Sequence, residues 1–146
     1  MSIKHQLFFN FALGLTIATC TASLVLAQPQ QTLQSLLNGD YFYGESSTPD
    51  RPGDRYLIIR KTGRTIIGRD YHSETDDWYC FKGTASRNRI INVTAAAPLA
   101  EDNPKLQFGA GRPIELNNLR RLNFNLVTSN NKTNFQSCIQ TFQNRR

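Results

Sequence analysis

Histidine, cysteine, tryptophan and methionine are all scarce in this chain of 146 residues, which holds two histidines, three cysteines, one tryptophan and one methionine. One histidine, His5, lies in an apolar N-terminal stretch, so the body carries His72 alone. That excludes a His-rich metal site and a His–His acid–base pair. No C-x-x-C occurs, which removes a redox-active dithiol of the thioredoxin kind. No serine occupies a G-x-S-x-G elbow, and Gly109-Ala110-Gly111-Arg112 lacks the lysine and the strand–helix setting of a phosphate loop. Asp76-Asp77 are consecutive and point apart on a strand, which disfavours a shared-proton dyad; a glycosidase pair drawn from distant segments stays open, with no pair nominated. The chain also lacks a long basic run. Its net charge of +6 comes from scattered residues and short pairs such as Arg60-Lys61, Arg120-Arg121 and Arg145-Arg146, a solvated basic surface rather than a nucleic-acid face.

What is present begins with an address. Lys4, the apolar run Leu7 to Ile17 and the small-residue exit Val25-Leu26-Ala27 read as a signal peptide over residues 1–27, leaving residues 28–146 as a single small β-rich domain. Two alternatives stay open. Leu7 to Leu26 would just span a bilayer as a retained anchor, though Asn10, Thr16, Thr19, Thr21 and Ser23 interrupt it, and Ile17-Ala18-Thr19-Cys20 resembles a lipobox that would acylate Cys20. Cleavage predicts a secreted or periplasmic protein with no transmembrane span. It also leaves Cys80 and Cys138 as one even pair in an oxidising compartment, hence a disulfide, the alternative being two buried free thiols.

Punctuation every ten or so residues points to hairpin-rich β structure. Leu33, Leu36 and Leu37, with Thr32 as N-cap and Gly39 as stop, predict one or two turns of helix over 32–38. An aromatic strand over 40–43 and a Pro/Gly loop over 44–54 follow. Tyr56-Leu57-Ile58-Ile59 and Thr65-Ile66-Ile67 flank Lys61-Thr62-Gly63-Arg64 as a hairpin; a Thr62-Gly63 turn would set Ile59 against Ile66 and Ile58 against Ile67. A second hairpin pairs 78–82 with 89–94 around 83–88. Residues 95–113, with three prolines, read as mostly irregular, with a brief edge strand over 105–108. Residues 114–127 suit a turn of helix and then a strand. Phe135, Cys138, Ile139 and Phe142 form one helical stripe, Thr133-x-x-Gln136 offers a capping box, and Arg145-Arg146 suits the C-terminal dipole. A helix laying that stripe on the sheet would carry Cys138 to Cys80. The expected fold is α+β, mainly β: an antiparallel curved sheet or small β-barrel with a short N-terminal helix and a C-terminal helix.

For function, the aromatic and basic inventory is what remains. Tyr43, Arg69, Tyr71 and Trp78 are the candidate ligand-binding residues, within a wider set of Tyr41, Tyr79 and Arg55, because rings and guanidinium groups recognise planar or anionic ligands by stacking and charge-assisted hydrogen bonds. The same rings would equally serve as core. Asp70-x-His72-x-Glu74-x-Asp76 places four metal-ligand types on one face of an extended strand, or reads as a polar connection; it lacks the mid-loop glycine of an EF-hand. The sequons Asn92-Val93-Thr94 and Asn131-Lys132-Thr133 match what an Asn-rich chain yields by chance.

Gly39-x-Tyr41-x-Tyr43-Gly44, Pro52-Gly53-x-x-Tyr56 and Cys80-Phe81-x-Gly83 resemble a group of uncharacterised exported small β-domain proteins of cyanobacterial type, over roughly residues 36 to 94. The resemblance implies a periplasmic or extracellular β domain and supplies no catalytic residues. A looser likeness is to calycin-type and lysozyme-inhibitor barrels, without a matching inhibitory loop. The chain thus reads as an exported module, non-enzymatic, that binds a small planar or anionic ligand or an envelope protein, or supports the envelope structurally, with no catalytic residues and no cofactor. The alternatives are a hydrolase using the acidic and histidine cluster around His72, and a calycin-like inhibitor of a secreted hydrolase; surface attachment would require the arginines to gather on one side.

Overall fold

The computed structural model describes residues 31–100 and 103–145, so the signal peptide expected over 1–27, with Cys20, and Arg146 lie outside the described residues. The described chain forms one antiparallel sheet of eight strands: β1 (Gly39–Gly44), β2 (Arg55–Thr62), β3 (Thr65–His72), β4 (Trp78–Ser86), β5 (Arg89–Ala100), β6 (Asn103–Ala110), β7 (Ile114–Glu115) and β8 (Arg120–Leu122). The spatial order is β6-β5-β4-β3-β2-β1-β8, and β7 continues the line of β6 along the same edge of β5. One α-helix, α1 (Ser129–Gln143), closes the chain.

The central hairpin has Gly63 and Arg64 in its turn, with Thr62 paired to Thr65. The sequence expectation placed the turn one residue earlier; Gly63, at φ +59°, instead takes the first central position, where a type II′ turn wants glycine. Ile59 therefore faces Gly68, and Ile58 faces Arg69. The pairing shifts by two positions, so each side chain keeps its face.

The sheet is strongly curled. Laid flat, the six steps from β7 across β5, β4, β3, β2 and β1 to β8 would span about 29 Å at ~4.8 Å per strand. Yet the chain passes from Glu115 to Arg120, a path reaching at most about 18 Å. The inner face of the curl holds Tyr43, Leu57, Ile59, Ile66, Phe81, Ile90 and Ile114, capped by Leu33, Leu36 and Leu116. Gly68 permits the tight curvature: a Cβ there would stand 2.5 Å from the Phe81 ring and 2.6 Å from the Ile58 carbonyl oxygen. The sheet stays open, so the curved-sheet expectation stands and the small-barrel alternative does not.

Other sequence expectations are corrected. The N-terminal helix is a single 3₁₀ turn, Leu33–Ser35: three-residue spacing sends Leu33 and Leu36 into the inner core, while Leu37 is 83% exposed. Residues 95–100 and 103–110 are strands, not irregular. Ala96 faces Cys80 in register and is buried beside Cys138 and Phe142, where only a small side chain allows the helix to approach. Residues 114–127 form two short strands and then a 3₁₀ turn, Phe124–Leu126, reversing the expected order. The helix starts earlier than expected, with Thr128 as N-cap accepting from the Asn131 N–H, while the Thr133 hydroxyl donates to the Ser129 carbonyl.

Phe135, Cys138, Ile139 and Phe142 are all buried against the outer face, and Cys80 and Cys138 form the expected disulfide, with their Cα atoms 5.2 Å apart. Closing a span of 58 residues contributes about 4 kcal/mol by chain entropy. Arg145 lies over the Phe108 ring at 4.0 Å. Among the described residues no helix is long and apolar enough to cross a membrane.

Candidate functional site

Strand alternation sorts the candidate residues onto two faces. Along β3, Arg69 and Tyr71 point outward beneath α1, while Asp70 and His72 lie with the inner face. On β4, Trp78 and Cys80 point outward, and Tyr79 packs against the inner core. Three of the four ligand candidates, Arg69, Tyr71 and Trp78, therefore come together. Tyr43 does not join them: it is buried in the inner core, where burial pushes its phenol up to about 12, partly offset by Arg121.

Arg69 is the centre of the outer cluster. It is only 8% exposed. Its guanidinium carbon lies 4.6 Å from the Tyr71 ring centroid and 5.4 Å from that of Trp78, within cation–π range of both. Nη1 donates to Asn131 Oδ1 at 2.8 Å, and the Asn131 amide donates onward to Asp50 Oδ1 and the Tyr71 hydroxyl, both at 3.2 Å. Tyr71 donates to the same Asp50 oxygen at 2.9 Å. The nearest compensating carboxylate thus stands one side chain away, and Nε, buried, has no hydrogen-bond partner. Burial lowers the Arg69 pKa, although Tyr71 and Asp50 oppose it; burial and the Asp50 bond raise that of Tyr71.

Beside this guanidinium, between sheet and helix, lies a cavity of about 200 Å³ lined by Arg69, Trp78, Cys80, Leu106, Asn134, Ser137 and Thr141. Its helical wall is the stripe Asn134, Ser137, Thr141, at i, i+3 and i+7, next to the apolar stripe that carries the disulfide. The Ser137 and Thr141 hydroxyls donate back to the Thr133 and Ser137 carbonyls. Sequence reasoning missed Asn131, this stripe and Leu106. A polar stripe flanking the stripe around Cys138 was the available signal; Asn131 had been read only as part of a sequon.

The inner face has its own cluster at the mouth of the curl. Asp70, 2% exposed, accepts from Arg55 through Nε at 2.9 Å and Nη2 at 2.6 Å, and from the Tyr79 hydroxyl at 2.7 Å. The bidentate bond to Asp70 raises the Arg55 pKa, and burial, with Asp70 adjacent, raises that of Tyr79. These three line an open depression of about 350 Å³ with His72 and Asp77. His72 Nδ1 lies 3.1 Å from Asp77 Oδ2.

The metal-ligand series does not assemble. Asp70 is committed to Arg55 and Tyr79, His72 is beside Asp77, β3 ends at His72, Glu74 adopts a left-handed conformation at φ +59°, and Glu74 and Asp76 are exposed. No group of three or more metal-ligand side chains forms among the described residues. Some arginines pair with carboxylates, Arg60 with Asp40 at 2.7 Å and Arg89 with Glu115 at 3.0 Å, besides Arg55 with Asp70, while Arg64, Arg87, Arg112, Arg120 and Arg121 are exposed.

Comparison with protein-family models, with curated proteins and with solved structures finds no match for this chain.

Proposed function

We propose that this protein is an extracytoplasmic, non-enzymatic binding module, secreted or periplasmic, whose small-molecule site is the cavity between α1 and the outer face of the sheet. The observation that carries this reading is Arg69: a residue only 8% exposed that lines a cavity, without a directly bonded carboxylate and with a buried Nε that has no hydrogen-bond partner. Buried charges in folded proteins are ordinarily paired, and each unsatisfied buried polar atom costs roughly 1–3 kcal/mol, so an arrangement that leaves one open favours a partner arriving from outside. The disulfide and the signal-like leader support the address.

Trp78 is the sole tryptophan and lines the cavity, so its fluorescence reports occupancy. A fragment screen read by Trp78 emission and amide chemical shifts should give hits that perturb Arg69, Trp78 and Leu106, and filling the cavity with Ser137→Trp should abolish them. Hits confined to the inner mouth, or none, would overturn the assignment.

A second reading, a hydrolase, draws on His72 oriented by Asp77 in one depression with Arg55, Asp70 and Tyr79. It predicts hydrolysis of an activated ester that His72→Asn removes; turnover unchanged by that substitution eliminates it.

A further inference from the structure

The donors and walls of the outer cavity narrow the ligand to one chemical class. Its surfaces differ in kind. Arg69 supplies the positive charge, and with one guanidinium N–H directed to Asn131 it keeps donors for another acceptor. The Asn134 side chain, also lining the cavity, makes no hydrogen bond among the described residues and can donate. Ser137 and Thr141 donate to the helix backbone and so turn lone pairs, not protons, outward. The remaining walls, Trp78, Leu106 and Cys80, are apolar or aromatic, the Trp78 indole N–H being their one strong donor.

Donors are therefore few, the Arg69 guanidinium and the Asn134 amide with the Trp78 indole N–H, which a sugar with many hydroxyls would not match. A phosphate dianion would leave oxygens facing apolar walls or the lone pairs of Ser137 and Thr141, at a desolvation cost. A carboxylate suits a guanidinium and an amide, because both of its oxygens accept in one plane. For size, an apolar cavity of about 150 Å³ holds benzene, so about 200 Å³ leaves room for a ring and one carboxylate.

Resting on the reading of this cavity as the binding site, we infer that it takes a small planar monocarboxylate, the carboxylate on Arg69 and Asn134 and the planar body between Trp78 and Leu106. The proton balance is trivial, since binding involves an already ionised acid and forms no covalent bond.

The test uses benzoate as probe on the oxidised protein, with benzyl alcohol as its uncharged counterpart and inorganic phosphate as the anion without a ring, read by Trp78 fluorescence and amide shifts. Benzoate should bind in the millimolar range typical of so small a ligand, at least tenfold more tightly than either comparator. Arg69→Met and, separately, Asn134→Leu should each weaken benzoate at least tenfold while leaving benzyl alcohol within about twofold; having both keeps the test usable if one variant misfolds. Equal binding of benzyl alcohol and benzoate at the cavity, or benzoate binding unchanged in a folded Arg69→Met variant, overturns the carboxylate class and leaves the cavity as a binding site. Phosphate binding more tightly than benzoate overturns the planar class. If neither benzoate nor benzyl alcohol perturbs Trp78, Arg69 or Leu106, the inference fails; the fragment screen then decides separately whether the cavity binds anything.

Discussion

Arg55 and Arg69 sit on adjacent strands of one sheet, each with tyrosine nearby and each bordering an open volume, yet their surroundings differ in kind. Arg55 meets a buried carboxylate through two short hydrogen bonds, and that carboxylate also accepts from Tyr79, so the inner cluster is closed upon itself. Arg69 is the more buried of the two and holds only an amide oxygen, with Asp50 one step behind. The contrast extends to proton affinity: pairing raises Arg55, and desolvation lowers Arg69. A closed ion cluster holds strands together and offers little to a ligand. A cation left partly open has the opposite character.

The largest break in this comparison should come from removing what holds the outer wall. Replacing Cys80 and Cys138 by alanine together should lower stability by about 4 kcal/mol in urea unfolding and loosen α1 over Arg69, while amide shifts around Arg55 and Asp70 stay close to native. Next, Asp70→Ala should cost about 3 kcal/mol, because it strips Arg55 and Tyr79 of their shared acceptor. Arg69→Met, by contrast, should change stability by no more than about 1 kcal/mol, or raise it, since a well-packed apolar side chain replaces a buried charge. Comparable losses from both variants in equilibrium unfolding would erase the distinction between the faces.

A pH-dependent effect comes from the phenols. Tyr43 in the inner core is raised to about 12, and Tyr71 and Tyr79 are also raised, by burial first in each case. With the folded value above the unfolded one near 10, their contribution is fully present below pH 10 and is lost as pH climbs toward 12 and beyond, each group by at most about 1.4 kcal/mol per pH unit. Urea midpoints measured from pH 9 to 12 alongside phenolate absorbance should fall together. Tyr43→Phe should flatten part of that decline, and an unchanged slope would contradict its burial in the inner core.

Much of the architecture was legible in the chain. Alternating and β-branched runs marked β2, β3 and the start of β4, and the spacing of Phe135, Cys138, Ile139 and Phe142 located the helix face and hence the disulfide. The strands over 95–100 and 103–110 were hidden because alanine and proline are poor strand formers; Ala96 is there because α1 and the disulfide need close approach, a tertiary demand with no local signature. The site was half legible. Arg69, Tyr71 and Trp78 share a face by parity alone, since Tyr71 pairs with Trp78 across the β3–β4 ladder. That Tyr43 lies on the other face follows only from the register of β1 on β2, where it opposes Leu57. Asn134 had only its place on the polar stripe beside Cys138 as a signal, and Asn131 carried none until the helix was laid on the sheet.

The short link from Glu115 to Arg120, which forces the curl, also bears on how the chain assembles. Hairpins β2–β3, β4–β5 and β5–β6 join neighbours in sequence and form early, whereas β1 meets β8 only by bringing residues 42 and 122 together. Loop-closure entropy makes that contact expensive until the hairpin stack has already shortened the path. Folding is thus ordered from the middle outward. Oxidation of Cys80 with Cys138, which awaits arrival of α1, becomes a covalent timestamp on the last step, so the rate of disulfide formation in refolding reads out when the helix has docked on the sheet.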